Sequence, residues 1–110
     1  MTIRDFRGQS GAVYRYLEVD NASATPLGSG NYLYVRLLAK GPVVICAGEG
    51  EWLAKAIEDT WRKAAEEHGA THIYARRNVS GHIRRDELAD LVAAHHPVMN
   101  APAEEPSPSR

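Results

Sequence analysis

Four arginines stand within ten residues in the second half of the chain: Arg76, Arg77, Arg84 and Arg85. They occupy the end of one predicted strand and the start of a predicted helix, where outward-pointing backbone N–H groups also favour anions. The segment therefore predicts a site for DNA, RNA or another phosphate-bearing ligand. The alternative is an ordinary solvated basic surface, which Glu104 and Glu105 could cover.

Candidates for a nucleophile or a metal ligand are few. Cys46 is the only cysteine, and its apolar run with no adjacent cation is typical of a small core residue rather than a reactive thiol. His95 and His96 could join Glu87 or Asp90 around a metal. Adjacent histidines project in different directions from a helix, however, so compensation of charge at the helix end is the favoured interpretation.

The elements that must position these residues begin with four strands. Segments rich in β-branched and aromatic residues predict them at Ala12–Val19, Tyr32–Leu38, Val43–Ala47 and Thr71–Ala75. A turn at residues 40–42 makes the second and third strands a hairpin. The continuous apolar run of the third strand indicates burial on both faces.

Two helices are predicted after the hairpin. The first follows Glu51 and ends at Gly69, with Leu53, Ile57 and Trp61 at three- and four-residue steps. Ser80 caps the second, which ends before Pro97 and carries Ile83, Leu88, Leu91 and Val92.

The whole chain has the size of one domain. Its 110 residues are 44% hydrophobic and carry a net charge of −1, so no global positive field attracts nucleic acid. The order β-β-β-α-β-α predicts an α/β protein of the α+β type, with a small, mostly antiparallel sheet flanked by helices over residues 10–100. Residues 1–9 are expected to be loosely ordered unless Ile3 or Phe6 packs on the body of the domain, and the proline-rich residues 101–110 are expected to be disordered. With no signal peptide and no apolar run of about 20 residues, we expect a cytoplasmic protein without membrane contact.

This order of hairpin, helix, strand and helix, closed by Pro97-Val98-Met99-Asn100, resembles the GIY-YIG nuclease domain. Gly30-Asn31-Tyr32 stands at the first of the two strand sequences that name the family, and Cys46-Ala47-Gly48 stands at the second. Residues 86–92 resemble its last helix, in which a glutamate binds a divalent metal. The resemblance covers residues 30–100.

The resemblance implies a metal-dependent phosphodiesterase, with Tyr32, Lys55 and Glu87 as catalytic residues and Mg or Mn bound at Glu87. Three positions depart from the family's pattern. Cys46 replaces the second tyrosine, and Ala56 stands where an arginine is expected, beside a lysine that lacks the bidentate fork. Glu87 lies one residue away from the expected carboxylate position.

The leading hypothesis is therefore a non-catalytic or weakly active nuclease-like domain that binds nucleic acid or another phosphate-bearing ligand through the four arginines. One alternative is an active metal-dependent endonuclease. The other is a protein-interaction module or homodimer, anchored by side chains expected to be exposed: Tyr14, Tyr16, Tyr34 and Trp52.

Overall fold

The computed structural model describes residues 2–19 and 28–100. Six strands are present: β1 (Ile3–Arg7), β2 (Val13–Val19), β3 (Gly30–Leu38), β4 (Gly41–Gly50), β5 (His72–Arg77) and β6 (Met99–Asn100). The same described residues form two helices: α1 (Leu53–His68) and α2 (Gly81–His95). The predicted disordered tail and most of the loop after β2 lie outside the described residues.

The strands form one sheet in the order β1-β2-β5-β3-β4-β6. Every neighbouring pair is antiparallel except β4 and β6, which are parallel. The predicted hairpin is confirmed, because β3 and β4 pair with Tyr32 opposite Gly48 and Tyr34 opposite Cys46. The predicted α+β architecture, a mostly antiparallel sheet flanked by helices, is confirmed as well.

The two helices cover opposite faces of this sheet. Successive side chains of a strand point to opposite faces, and β3 supplies a residue to each core in turn. Tyr32 and Tyr34 pack in the core beneath α1, whereas Leu33 and Val35 pack in the core beneath α2. A group on one helix can therefore reach a group on the other only through or around the sheet.

The N-terminal segment differs from the prediction. Residues 3–7 form the edge strand β1 instead of a loose end, because Phe6 is only 3% exposed and joins the core beneath α2. Its ring makes edge contacts with Tyr16 and Tyr74, with ring centroids 5.6 and 5.4 Å apart. One buried aromatic ring and pairing along β2 are enough to hold this short strand.

For two of the four side chains predicted to be exposed, the prediction is wrong. Tyr16 and Tyr34 are completely buried, one beneath each helix. The exposed apolar residues of β2 are instead Val13 and Leu17, on the face that α2 does not cover. Trp52 is exposed, as predicted.

The predicted helix ends are confirmed. Gly69 follows α1 with a left-handed φ of 75°, and the Ser80 hydroxyl accepts the backbone N–H of Ile83 at the start of α2. The buried face of α2 carries Arg84, Glu87 and Leu91, two of which are charged. Neither helix of the described residues is long and apolar enough to cross a membrane.

Candidate functional site

The carboxylate of Glu87 lies in the interior of the protein, between α2 and the sheet. Glu87 is 2% exposed, and both of its oxygens are engaged. The Tyr16 hydroxyl donates to one oxygen over 2.6 Å, and Arg76 Nε donates to the other over 3.0 Å. Burial raises the pKa of Tyr16 well above its ordinary value, and the neighbouring Glu87 raises it further. The phenol therefore stays protonated and acts as a fixed hydrogen-bond donor.

A second ion pair lies beside the first, nearer the start of α2. Arg84 Nε donates to Glu49 Oε1 over 2.8 Å, and both side chains are at least 94% buried. The guanidinium also donates to the backbone carbonyl of Asn78 over 3.2 Å. The amide of Asn31 donates to the backbone carbonyl of Arg84 over 3.0 Å. This network joins α2 to β3, β4 and the turn after β5.

These contacts correct the prediction of one basic patch made by four arginines. Arg84 lies inside the protein, and a buried cation whose charge is met by a carboxylate attracts few external anions. Arg76 is half-buried and forms an ion pair with Glu87. Its guanidinium carbon, Cζ, lies 5.8 Å from the centre of the Tyr14 ring. Exposed positive charge remains on Arg77 and Arg85.

Tyr32 is a packed side chain in the core beneath α1. It is 2% exposed, and its ring lies directly over Gly48, so closely that an added Cβ there would overlap the ring. Its ring centroid is 5.1 Å from that of Tyr34. Burial raises the pKa of Tyr32 to about 12, and the nearby Cys46 raises it too. A phenol so enclosed has no room to position a water against a phosphate.

The other two predicted catalytic residues do not approach Tyr32. Lys55 lies on the exposed side of α1, where its ammonium pairs with Asp59 over 3.1 Å. Glu87 lies beneath α2 on the opposite face of the sheet. The structure therefore brings Tyr32, Lys55 and Glu87 to three separate places.

A divalent metal does not fit at Glu87. Mg or Mn would need free carboxylate or carbonyl oxygens, whereas the two Glu87 oxygens already accept hydrogen bonds from Tyr16 and Arg76. Within residues 2–19 and 28–100, no three histidine, cysteine, aspartate or glutamate side chains are grouped so that they could hold a metal ion. His95 instead contacts the backbone carbonyl of Arg7 over 2.9 Å.

The thiol at the second family position is equally enclosed. Cys46 is completely buried beneath α1, and this burial raises its pKa to about 11. Ala56, at the position where the family's pattern has an arginine, is partly buried against the same core. All three residues therefore act as packing groups in the core beneath α1: Tyr32, Cys46 and Ala56.

No protein-family model matches the chain, and no curated protein or solved structure is significantly similar to it. The assignment of function therefore depends on the physical chemistry of the described side chains.

A shallow groove lies beside α2. Asp90 is among the residues that line it. The Asp90 carboxylate accepts hydrogen bonds from the hydroxyls of Ser10 and Tyr14, each over 2.7 Å, and from the Ser10 backbone N–H over 2.8 Å. The Ser10 and Tyr14 bonds lower the pKa of Asp90. The carboxylate thus fastens the β1–β2 turn to α2, and its oxygens are occupied by the protein itself.

The carboxylates that neutralise Arg76 and Arg84 were not predicted as their partners from the sequence. Glu49 is two residues from Ala47 on β4, so both side chains lie on the same face of the sheet. This spacing can be read from the sequence. On α2, Arg84, Glu87 and Leu91 are spaced by three and four residues, which also places two charges on the buried face. Nothing in the sequence marks which carboxylate meets which guanidinium.

Proposed function

We propose that this chain is a GIY-YIG-like domain without nuclease catalysis, and that it binds nucleic acid or another phosphate-bearing ligand through Arg77 and Arg85. The likeness is supported by the order of hairpin, helix, strand and helix. It is also supported by the pairing of the two motif positions, since Tyr32 of the first lies opposite Gly48 of the second.

The absence of nuclease catalysis is proposed because both carboxylate oxygens of Glu87 already accept hydrogen bonds within the protein. A metal-dependent phosphodiesterase needs a carboxylate that faces substrate and leaves coordination sites for the ion and for water. Here the carboxylate is enclosed, bonded to Tyr16 and Arg76, and separated from Tyr32 by the sheet. The scaffold is retained, and the polar groups stabilise its interior.

The binding part of the proposal depends on two exposed guanidinium groups near the start of α2. Within residues 2–19 and 28–100, neither Arg77 nor Arg85 is in an ion pair. Arginine suits a phosphate because its planar fork donates two parallel hydrogen bonds. Two such contacts with a net protein charge of −1 support weak binding that depends strongly on salt.

The test is the affinity of labelled DNA, measured by fluorescence anisotropy over a series of salt concentrations. We expect affinity to fall as salt rises, and to fall further in the double variant Arg77→Ala/Arg85→Ala. Removing two phosphate contacts should lower the salt slope by about 1.8 for duplex and about 1.4 for a single strand.

The matched control is Arg62→Ala/Lys63→Ala, which also removes two charges but lies far along α1 from the proposed site. It should leave the slope unchanged. Absent binding, binding that ignores salt, or equal losses in the two double variants would refute the proposal.

A second candidate is a module that pairs with another copy of itself. The observation in its favour is the uncovered face of β1 and β2, where the neighbouring residues Ile3 and Leu17 are 56% and 42% exposed. Sedimentation equilibrium of the protein and of Leu17→Lys tests it. A dimer that the lysine dissociates would support this function, and a monomer at high concentration would reject it.

A further inference from the structure

Trp52 is a large aromatic side chain that the fold leaves in solvent. It immediately precedes α1 and is 59% exposed. The backbone next to it is held in place, because the N–H of Leu53 donates to the carbonyl of Gly28 over 2.9 Å. The backbone that carries the indole is therefore held at one end of the sheet.

Arg77 lies on the other side of the same glycine. A Cβ built on Gly28 would be 3.9 Å from Arg77 Nη2. The N–H of Asn78, the next residue, donates to the carbonyl of Ser29 over 3.0 Å. Since Ile73 and Ala75 of β5 face α1, the alternation places Arg77 on that face too, the side of the sheet that bears Trp52.

Two further residues extend this end of the molecule. Val79, in the turn after β5, is 85% exposed. Arg85 lies on the first turns of α2, with its guanidinium folded back so that a Cβ on Gly81 would be 3.1 Å from Nη1. Arg85 belongs to α2, which covers the opposite face of the sheet, so we name the other three residues the Trp52 surface: Trp52, Arg77 and Val79.

We propose that the Trp52 surface binds single-stranded nucleic acid, with a base stacked on the indole of Trp52 and a neighbouring phosphate paired with Arg77. This inference rests on the proposed function and specifies its ligand. An exposed indole offers a flat face to any unpaired base, and such stacking tolerates all sequences. In a duplex the base faces are covered by their neighbours, so Trp52 would contribute nothing to its binding.

The charges at this end limit the affinity. Glu51 directly precedes Trp52, and Asp86 pairs with His82 on α2 over 3.2 Å. A single exposed arginine, at an end of the molecule that also carries acidic side chains, gives a weak electrostatic attraction, so a stacked ring makes a large part of the binding energy. The aromatic residue should therefore matter for single strands about as much as this cation.

The first measurement uses the fluorescence of Trp52 in the full chain. The other tryptophan, Trp61, packs against Tyr34 with ring centroids 5.2 Å apart, and the variant Trp61→Phe removes its signal. Titration with a mixed-sequence oligonucleotide of roughly 12 nucleotides should quench the remaining emission, because a stacked base quenches an indole directly. The same strand annealed to its complement should quench it far less.

The second measurement compares variants by fluorescence anisotropy at low salt. Trp52→Ala should weaken single-strand binding about tenfold, whereas Trp52→Phe should retain part of the affinity. Duplex affinity should change less than about twofold in either variant, since stacking does not contribute to it. The control Leu38→Ala truncates another exposed apolar residue at the opposite end of β3 and should change neither affinity.

The outcomes separate this inference from the function on which it rests. Selective quenching and a selective loss in Trp52→Ala support it. If single strand and duplex bind alike and Trp52→Ala binds normally, the inference is overturned, while the proposed role of Arg77 and Arg85 stands. If neither form binds at low salt, both are overturned.

Discussion

The phenol of Tyr32 and the carboxylate of Glu87 lie on opposite faces of the sheet, one beneath α1 and the other beneath α2. Both are almost fully buried, at 2% exposure each. A reaction that needs both groups on one phosphate cannot use them in this arrangement. Tyr32 packs over Gly48, and Glu87 joins α2 to the sheet through Arg76 and Tyr16.

The first prediction concerns cleavage. Purified protein incubated with supercoiled plasmid and Mg or Mn should produce no nicking above a blank, because no carboxylate described here is placed to hold the ion near a substrate. The Glu87→Ala variant should give the same result. Nicking that persists through purification and disappears in that variant would contradict the separation of these groups.

The second prediction concerns the stability that Glu87 supplies. Glu87→Gln removes the charge that meets Arg76 in the interior, and breaking such a buried pair typically costs 3–5 kcal/mol. Arg76 is 36% exposed and can recover some hydration, so we expect the free energy of unfolding to fall by about 2 kcal/mol.

Urea denaturation followed by circular dichroism measures this loss. The matched control is Asp86→Asn, which removes a carboxylate from the neighbouring, largely exposed position of α2. Its effect should be less than about 1 kcal/mol. Equal losses in the two variants would show that the Glu87 pair contributes nothing beyond surface charge.

The third prediction concerns the buried pair formed by Glu49 and Arg84. A double-mutant cycle with Glu49→Gln and Arg84→Met should give a coupling free energy of about 2 kcal/mol or more, since each single change leaves the other side chain buried without the opposite charge that faces it. The exposed Lys55–Asp59 pair serves as the comparison and should couple by less than about 1 kcal/mol. Additive effects at Glu49 and Arg84 would refute the interior pair.

The fourth prediction tests Tyr32 as a packing group. Gly48→Ala introduces a methyl group into the space of the Tyr32 ring and should destabilise the protein by about 1–3 kcal/mol, measured by thermal and urea unfolding. In a Tyr32→Leu background the same change should cost much less, because the overlapping ring atoms are gone. An equal cost in both backgrounds would mean that the ring does not lie over this glycine.

The fifth prediction concerns alkaline pH. Burial raises the pKa of Cys46 to about 11 from an ordinary value of 9.0. The folded protein therefore holds the proton more tightly than the unfolded chain does, and this contribution to stability is complete below pH 9. It should be lost as pH rises from about 9 to 11, by about 2–3 kcal/mol.

Urea midpoints measured across that range provide the test, with Cys46→Ala as the control. Without the thiol, the free energy of unfolding should fall less steeply with pH below pH 10, where the buried tyrosines still keep their protons. A decline that is just as steep without the thiol would contradict the assignment.

Local patterns were sufficient for most elements of the fold. The three- and four-residue spacing of Leu53 and Ile57, with Gly69 behind them, predicts α1 because a helix repeats every 3.6 residues. The pattern was insufficient for β1, whose single buried large residue, Phe6, gives no periodicity to detect. Only pairing with β2 makes those residues a strand.

The same limit applies to the candidate site. Four nearby arginines in the sequence predicted one surface, and their exposure could not be decided without their partners. Glu49 is 35 residues from Arg84, and Tyr16 is 71 residues from Glu87. Contacts over such separations depend on strand order and helix placement, which no local spacing encodes.

The sequence by itself determined six of the eight described elements, their order and the residue types available for chemistry, because hydrophobic period, turn residues and caps act over a few positions. The tertiary structure alone decided which charges neutralise each other and which reach solvent. Placing the two helices on opposite faces buried Arg84, separated Tyr32 from Glu87, and left Trp52, Arg77 and Arg85 exposed. The cost of burying an unpaired charge explains why the inward-facing arginine found a carboxylate.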